Sequence, residues 1–117
     1  MNYSVHKFEM PYLTLTKAEL EKIIYHLLTS IDYSFDFNGF KQRLASYLLT
    51  NNIGFEVEPN TSYTGSMQPK DENVVREIIW DLIILRYITP GGNGHDTWPA
   101  LSITSRGKDF FSARNSQ

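Results

Sequence analysis

Apolar residues recur at spacings of three and four from Leu20 onward. Leu20, Ile23, Ile24, Leu27, Leu28 and Ile31 fall on one stripe, which predicts a first helix. Thr16-Lys17-Ala18-Glu19, just upstream, forms a capping box: the threonine oxygen serves the N3 amide and the glutamate reaches back. This phase turns Glu19, Glu21, Lys22 and Tyr25 toward solvent and leaves His26 at the boundary. Ser34 to Asn38 break the period. A second helix is predicted from about Asn38 to Thr50, with Phe40, Leu44, Tyr47 and Leu48 on one face. Asn51-Asn52-Ile53-Gly54 ends it, because Asn and Gly tolerate the left-handed residue that closes helices. A third helix opens with Asp71 as its expected cap and runs about 17 residues, or ~25 Å. Val74, Val75, Ile78, Ile79, Leu82 and Leu85 make its broad stripe, with Ile83 at the margin. Trp80, Ile84 and Tyr87 make a second stripe on the opposite side. A helix apolar on two sides is either central in its domain or shared with another chain.

The remaining segments are shorter. Tyr3 and Val5 alternate with polar residues, and Pro11 forbids a continuous helix, so residues 1–15 read as an extended arm. Tyr3, Val5 and Phe8 would let it cover the Trp80 stripe, unless the arm is exchanged with a second subunit. Phe55-Glu56-Val57-Glu58 suits a short strand. Residues 59–69 read as a flexible loop anchored only by Tyr63 and Met67. After Ile88-Thr89-Pro90-Gly91-Gly92 comes a polar, Gly-rich loop over 91–98. The strand Ala100-Leu101-Ser102-Ile103-Thr104 and a final amphipathic turn follow. The expected core is Leu20, Ile23, Ile24, Leu27, Leu44, Leu48, Val75, Ile78, Ile79, Leu82, Leu101 and Ile103.

Composition narrows the class. A chain of 117 residues, 41% hydrophobic and 21% charged, reads as one soluble globular domain over 1–117. It has no cysteine, which excludes disulfides and thiolate metal sites and fits a cytoplasmic location. No secretory leader or membrane-spanning run is visible, so a membrane partner is not expected. The net charge is −2. Only the last segment, 86–117, is positive, with Arg86, Arg106, Lys108 and Arg114 against Asp96 and Asp109.

The stretch Leu82-Ile83-Ile84-Leu85-Arg86-Tyr87-Ile88-Thr89-Pro90-Gly91 resembles the helix-to-wing junction of winged helix-turn-helix domains. Trp98-Pro99-Ala100-Leu101-Ser102-Ile103-Thr104-Ser105-Arg106-Gly107 resembles their returning strand and the T-x-x-G start of a terminal helix. The resemblance covers about residues 71–111, and many bacterial regulators and some defence-related proteins carry a similar segment. It implies an α+β, winged-helix-like fold with three main helices and a small antiparallel β-hairpin wing. It also implies a DNA-binding protein, such as a transcriptional regulator. The corresponding contacts are Lys70, Asn73 and Arg76 on the third helix, Asn93 and His95 in the wing, and Arg106 and Lys108 behind it, with Trp98 beside them. Because Asp71, Glu72, Glu77 and Asp81 would repel phosphate, the binding expected is weak and mostly sequence-independent.

No nucleophile elbow, phosphate loop or zinc signature occurs. Pro90-Gly91-Gly92-Asn93-Gly94 precedes no helix and reads as a turn. His6, His26 and His95 are too scattered for a metal site, and His95-Asp96 has no nucleophile to serve. Neither enzymatic activity, cofactor nor metal is expected. The alternative to DNA binding is a protein-interaction or dimerisation module, an adaptor or inhibitor that uses Trp80, Ile84 and Tyr87, with a homodimer the simplest assembly.

Overall fold

In the computed structural model, which describes residues 5–7, 10–32, 34–63, 67–92 and 94–115, the capping box starts the first helix as expected. The Glu19 amide donates to Thr16 Oγ1 at 3.2 Å and the Thr16 amide donates to Glu19 Oε1 at 2.9 Å. Helix α1 spans Lys17–Thr29 and buries Leu20, Ile24, Leu27 and Leu28, with Ile23 and Ile31 at its edge. Tyr25 is half-buried rather than solvated, 5.5 Å from Phe110 and 5.7 Å from Phe111 between ring centroids. That burial pushes its phenol above the usual range.

The break in period at Ser34 is a strand. Strand β2 (Ser34–Asp36) leads directly into α2 (Phe37–Thr50). Asp36 serves both elements: its Oδ1 accepts from the Gly39 amide at 2.7 Å and so caps the helix. Helix α2 buries Phe37, Phe40, Leu44 and Leu48 and ends at a left-handed Asn52 (φ 58°). The Ile53 amide there returns to the Leu48 carbonyl and the Asn52 amide to that of Leu49, a Schellman closure.

The next strand lies further along than expected. Phe55 makes only an isolated bridge with Leu13, and Thr61–Tyr63 form β3 inside the stretch read as loop. They pair in parallel with β1 (Val5–Lys7), Val5 opposite Thr61 and Lys7 opposite Tyr63. Met67, just beyond, is buried. Residues 64–66 lie outside the described residues.

Helix α3 spans Pro69–Ile84, with Pro69 in its first turn and Gln68 at the cap. Asp71 is therefore not the cap. It sits one turn inside, 6% exposed, and its Oδ2 accepts from the Leu13 amide at 2.8 Å. Gln68 Nε2 donates to the Met10 carbonyl at 2.7 Å, and the Thr14 amide to the Gly54 carbonyl at 2.7 Å. The described part of the arm is thus fastened to its own chain. Val75, Ile78, Ile79 and Leu82 are fully buried. Leu85, expected on the same stripe, is 48% exposed, because the helix stops at Ile84 and the chain turns at Arg86 (φ 66°). The Tyr87 amide returns to the Leu82 carbonyl and the Arg86 amide to that of Ile83, closing a second Schellman turn.

Strands β4 (Ile88–Pro90) and β5 (Ala100–Ile103) form an antiparallel hairpin, and β2 joins on the other side of β5. The sheet order is β2-β5-β4, with Phe35 opposite Leu101 and Thr89 opposite Ser102. A fourth helix, α4 (Ser105–Asn115), starts at the T-x-x-G pattern and runs longer than the amphipathic turn expected there, so the helices are four rather than three. Thr104 fixes its start: its hydroxyl donates to the Arg86 carbonyl at 2.7 Å and accepts from the Gly107 amide at 2.9 Å. The fold is α+β, with four helices and a small three-stranded antiparallel sheet among the described residues. Every member of the expected core is buried except Ile23, which is partly so, and Met10, Phe37, Phe55, Ile88 and Phe111 join it. Among the described residues no helix is long and apolar enough to cross a membrane.

Candidate functional site

The outward face of α3 changes character along its length. Its first turns expose Lys70 and Asn73; its last turns expose Trp80 and, one turn later, Ile84. Ile84 is 75% exposed and Trp80 42%, large values for such side chains in one place.

The loop between β4 and β5 is folded back onto this face. Its tip is tight: the Gly92 amide donates to the His95 carbonyl at 2.7 Å, and the His95 amide returns to Gly92 at 3.0 Å. Its return limb is pinned where the Phe37 amide donates to the Pro99 carbonyl at 2.9 Å. This places Trp98 between two rings, 4.7 Å from Phe37 and 5.4 Å from Trp80, the latter pair stacked at 20°. The result is a row of three rings running from the start of α2, across the β4–β5 loop, to the last turns of α3. Trp80 keeps much of its surface in solvent, and Ile84 extends the apolar strip by one turn.

Cations flank this row and are engaged locally. Arg76 Cζ lies 5.4 Å and Lys41 Nζ 5.1 Å from the Phe37 ring centroid. Glu72 holds both, at 2.7 Å from Lys41 and 3.2 Å from Arg76, and Arg76 also donates to Asn73 Oδ1 at 3.1 Å. On the other flank Lys17 reaches Glu77 at 2.7 Å and Asp81 at 3.2 Å. The bonds to Glu77 and then Asp81 hold its ammonium above the usual lysine range. Four acidic residues on α3 were expected to face solvent. Asp71 is in fact buried under Leu13, Glu72 holds Lys41 and Arg76, and Glu77 and Asp81 share Lys17. The face is close to neutral rather than acidic.

The residues expected to touch DNA do not converge. Lys70, Asn73 and Arg76 occupy the first half of α3, and Asn93 lies outside the described residues. His95 is exposed at the hairpin tip. Arg106 sits with Cζ 5.2 Å from the Tyr87 ring centroid, beyond the far end of α3, roughly 20 Å from Lys70 by helix rise. Lys108 faces elsewhere, lining a small cleft with Thr29 and Asp32 at the end of α1.

Of the expected interface residues, Trp80 and Ile84 share the open face. Tyr87 is half-buried under α4, stacked on Phe110 at 4.0 Å and 15°. The residues of the arm expected to cover them, Tyr3, Phe8 and the Val5 side chain, lie outside the described residues. Among the described residues Trp98, from the β4–β5 loop, stacks on Trp80, and Phe110 of α4 stacks on Tyr87. Phe37 and Lys41 belong to the face and were not expected in it. A signal for Phe37 was its place at the helix start, before a stripe that already included Phe40. Among the described residues no three His, Asp or Glu side chains gather as a metal set. Comparison with protein-family models, with curated proteins and with solved structures gave no match to this chain.

Proposed function

We propose that the chain is a winged-helix domain that works as a binding module and docks a protein surface through α3 and the wing. The element order supports the fold reading: α1, β2, α2, α3 and the β4–β5 hairpin follow in turn, with β2 beside β5, while β3 between α2 and α3 pairs only with β1. The observation that carries the docking reading is the apolar strip of Trp98, Trp80 and Ile84 at the centre of that face, with ion-paired charges at its edges. Aromatic residues at the centre and charges at the rim are the composition of protein interfaces, whereas a groove reader offers free cations and amides to phosphates and base edges.

DNA binding is the second reading, and one observation favours it: Glu72, Glu77 and Asp81 are ion-paired within the chain, which removes part of the expected repulsion. A titration with short duplex DNA at about 50 mM salt, where phosphate binding is strong, separates the two. The docking reading expects no complex. A complex that weakens with salt and loses about one unit of salt slope for each of Arg106→Glu and Lys108→Glu puts DNA in first place instead.

A further inference from the structure

We propose that the occupant of this face is a second copy of the chain, with α3 packed antiparallel to its counterpart about a twofold axis between Trp80 and Ile84. The inference rests on the docking reading above and adds the partner and its register.

Three features lead to it. Trp80 and Ile84 stand one turn apart on the exposed face, so a twofold axis between them sets each Trp80 against the other chain's Ile84. One flat ring then meets one branched aliphatic chain, twice, and both wet apolar surfaces are removed from water by a single contact.

Charge selects the direction. Glu77 lies one turn before Trp80, and Arg86 lies just past Ile84, where the left-handed turn ends the helix. Antiparallel packing about the stated axis brings Glu77 of one chain to Arg86 of the other, two such pairs in each dimer. Parallel packing would set Glu77 on Glu77 and Arg86 on Arg86, which like-charge repulsion disfavours. Glu77 has capacity for this second partner: Lys17 takes Oε1, and the side chain stays 62% exposed. Arg86 is exposed.

The surrounding surface agrees with this placement. Trp98, held by Phe37 and Pro99, backs Trp80 so that its ring presents a rigid surface rather than a mobile one. A pre-ordered aromatic anchor lowers the entropy lost on association.

Sedimentation or light scattering of the full chain at hundreds of micromolar reads the proposal. Wild type is expected to have the mass of a dimer. Ile84→Glu is expected to have the mass of a monomer with unchanged circular dichroism, since Ile84 supports no part of the core. Glu77→Arg and Arg86→Glu are each expected to weaken the dimer by about tenfold or more, and the two together to restore it within a few-fold. A monomeric wild type, or a dimer indifferent to Ile84→Glu, overturns the proposal. A combined charge swap that fails to restore association overturns the antiparallel register. The DNA titration reads the docking face separately. A monomer that ignores DNA therefore removes self-association alone, and a monomer that binds DNA removes the docking reading as well.

Discussion

Gly107→Ala should destabilise the protein by about 3 kcal/mol or more, the upper part of the range for forced overpacking. A Cβ built at Gly107 would collide with the Tyr87 carbonyl oxygen and fall 3.1 Å from Ile103 Cγ2. The carbonyl cannot step aside freely, because it accepts from the Thr104 amide at 3.1 Å. In an ordinary exposed helix the same substitution would stabilise by about 1 kcal/mol through propensity. The clash exceeds that gain, so the sign of the measured change is diagnostic. It also explains the T-x-x-G pattern in physical terms. Thr104 ties the helix start to the end of α3, and Gly107 removes the side chain that would hold the two apart. Urea denaturation of wild type and variant checks this. A gain of about 1 kcal/mol would mean that α4 does not approach Tyr87.

Ile79→Ala should cost about 2–5 kcal/mol, from lost transfer energy and the cavity left behind. Ile79 is fully buried between the other elements, while Ile84, on the same helix, is mostly in water. Ile84→Ala should therefore stay within about 0.5 kcal/mol of wild type in the monomer. Against a total stability of order 5–15 kcal/mol, the first loss is large and the second is not. Equal costs at the two positions would show that the buried face of α3 has been misassigned.

Much of this architecture was legible because it is local and periodic. The stripe of α1 carries five apolar residues in register, with Ile31 just past its end, and the Thr16–Glu19 box announces its start within four residues. The Schellman turn at Asn52 was readable for the same reason. Strand β2 was not: Ser34-Phe35-Asp36 is too short for alternation to register, and its partner β5 lies far along the chain. Strand β3 hid in a polar stretch because its partner is the arm, not a neighbour.

Asp71 shows a deeper ambiguity. A cap and a buried staple are the same residue type at nearly the same helix position, and only the Leu13 amide, 58 residues away, decides between them. At the candidate site, Trp80 and Ile84 followed from helix phase alone. That Trp98 stacks on Trp80 did not, because it depends on the bond from Phe37 to Pro99. Arg106 and Lys108 looked like one basic patch, but residues two apart on a helix do not share a face. Their separation follows once α4 is known to start at Ser105.

The most direct measurement of the docking face is hydroxyl-radical footprinting of the intact chain at low and high protein concentration. Tyr12, 61% exposed and next to Leu13 at the opposite end of α3 from Ile84, serves as the internal reference. The account predicts that Trp80 is oxidised readily in dilute protein and becomes protected several-fold on concentration, while Tyr12 is unchanged. Oxidation of Trp80 that is the same at both concentrations while the mass doubles, or protection of Tyr12 instead, would contradict it.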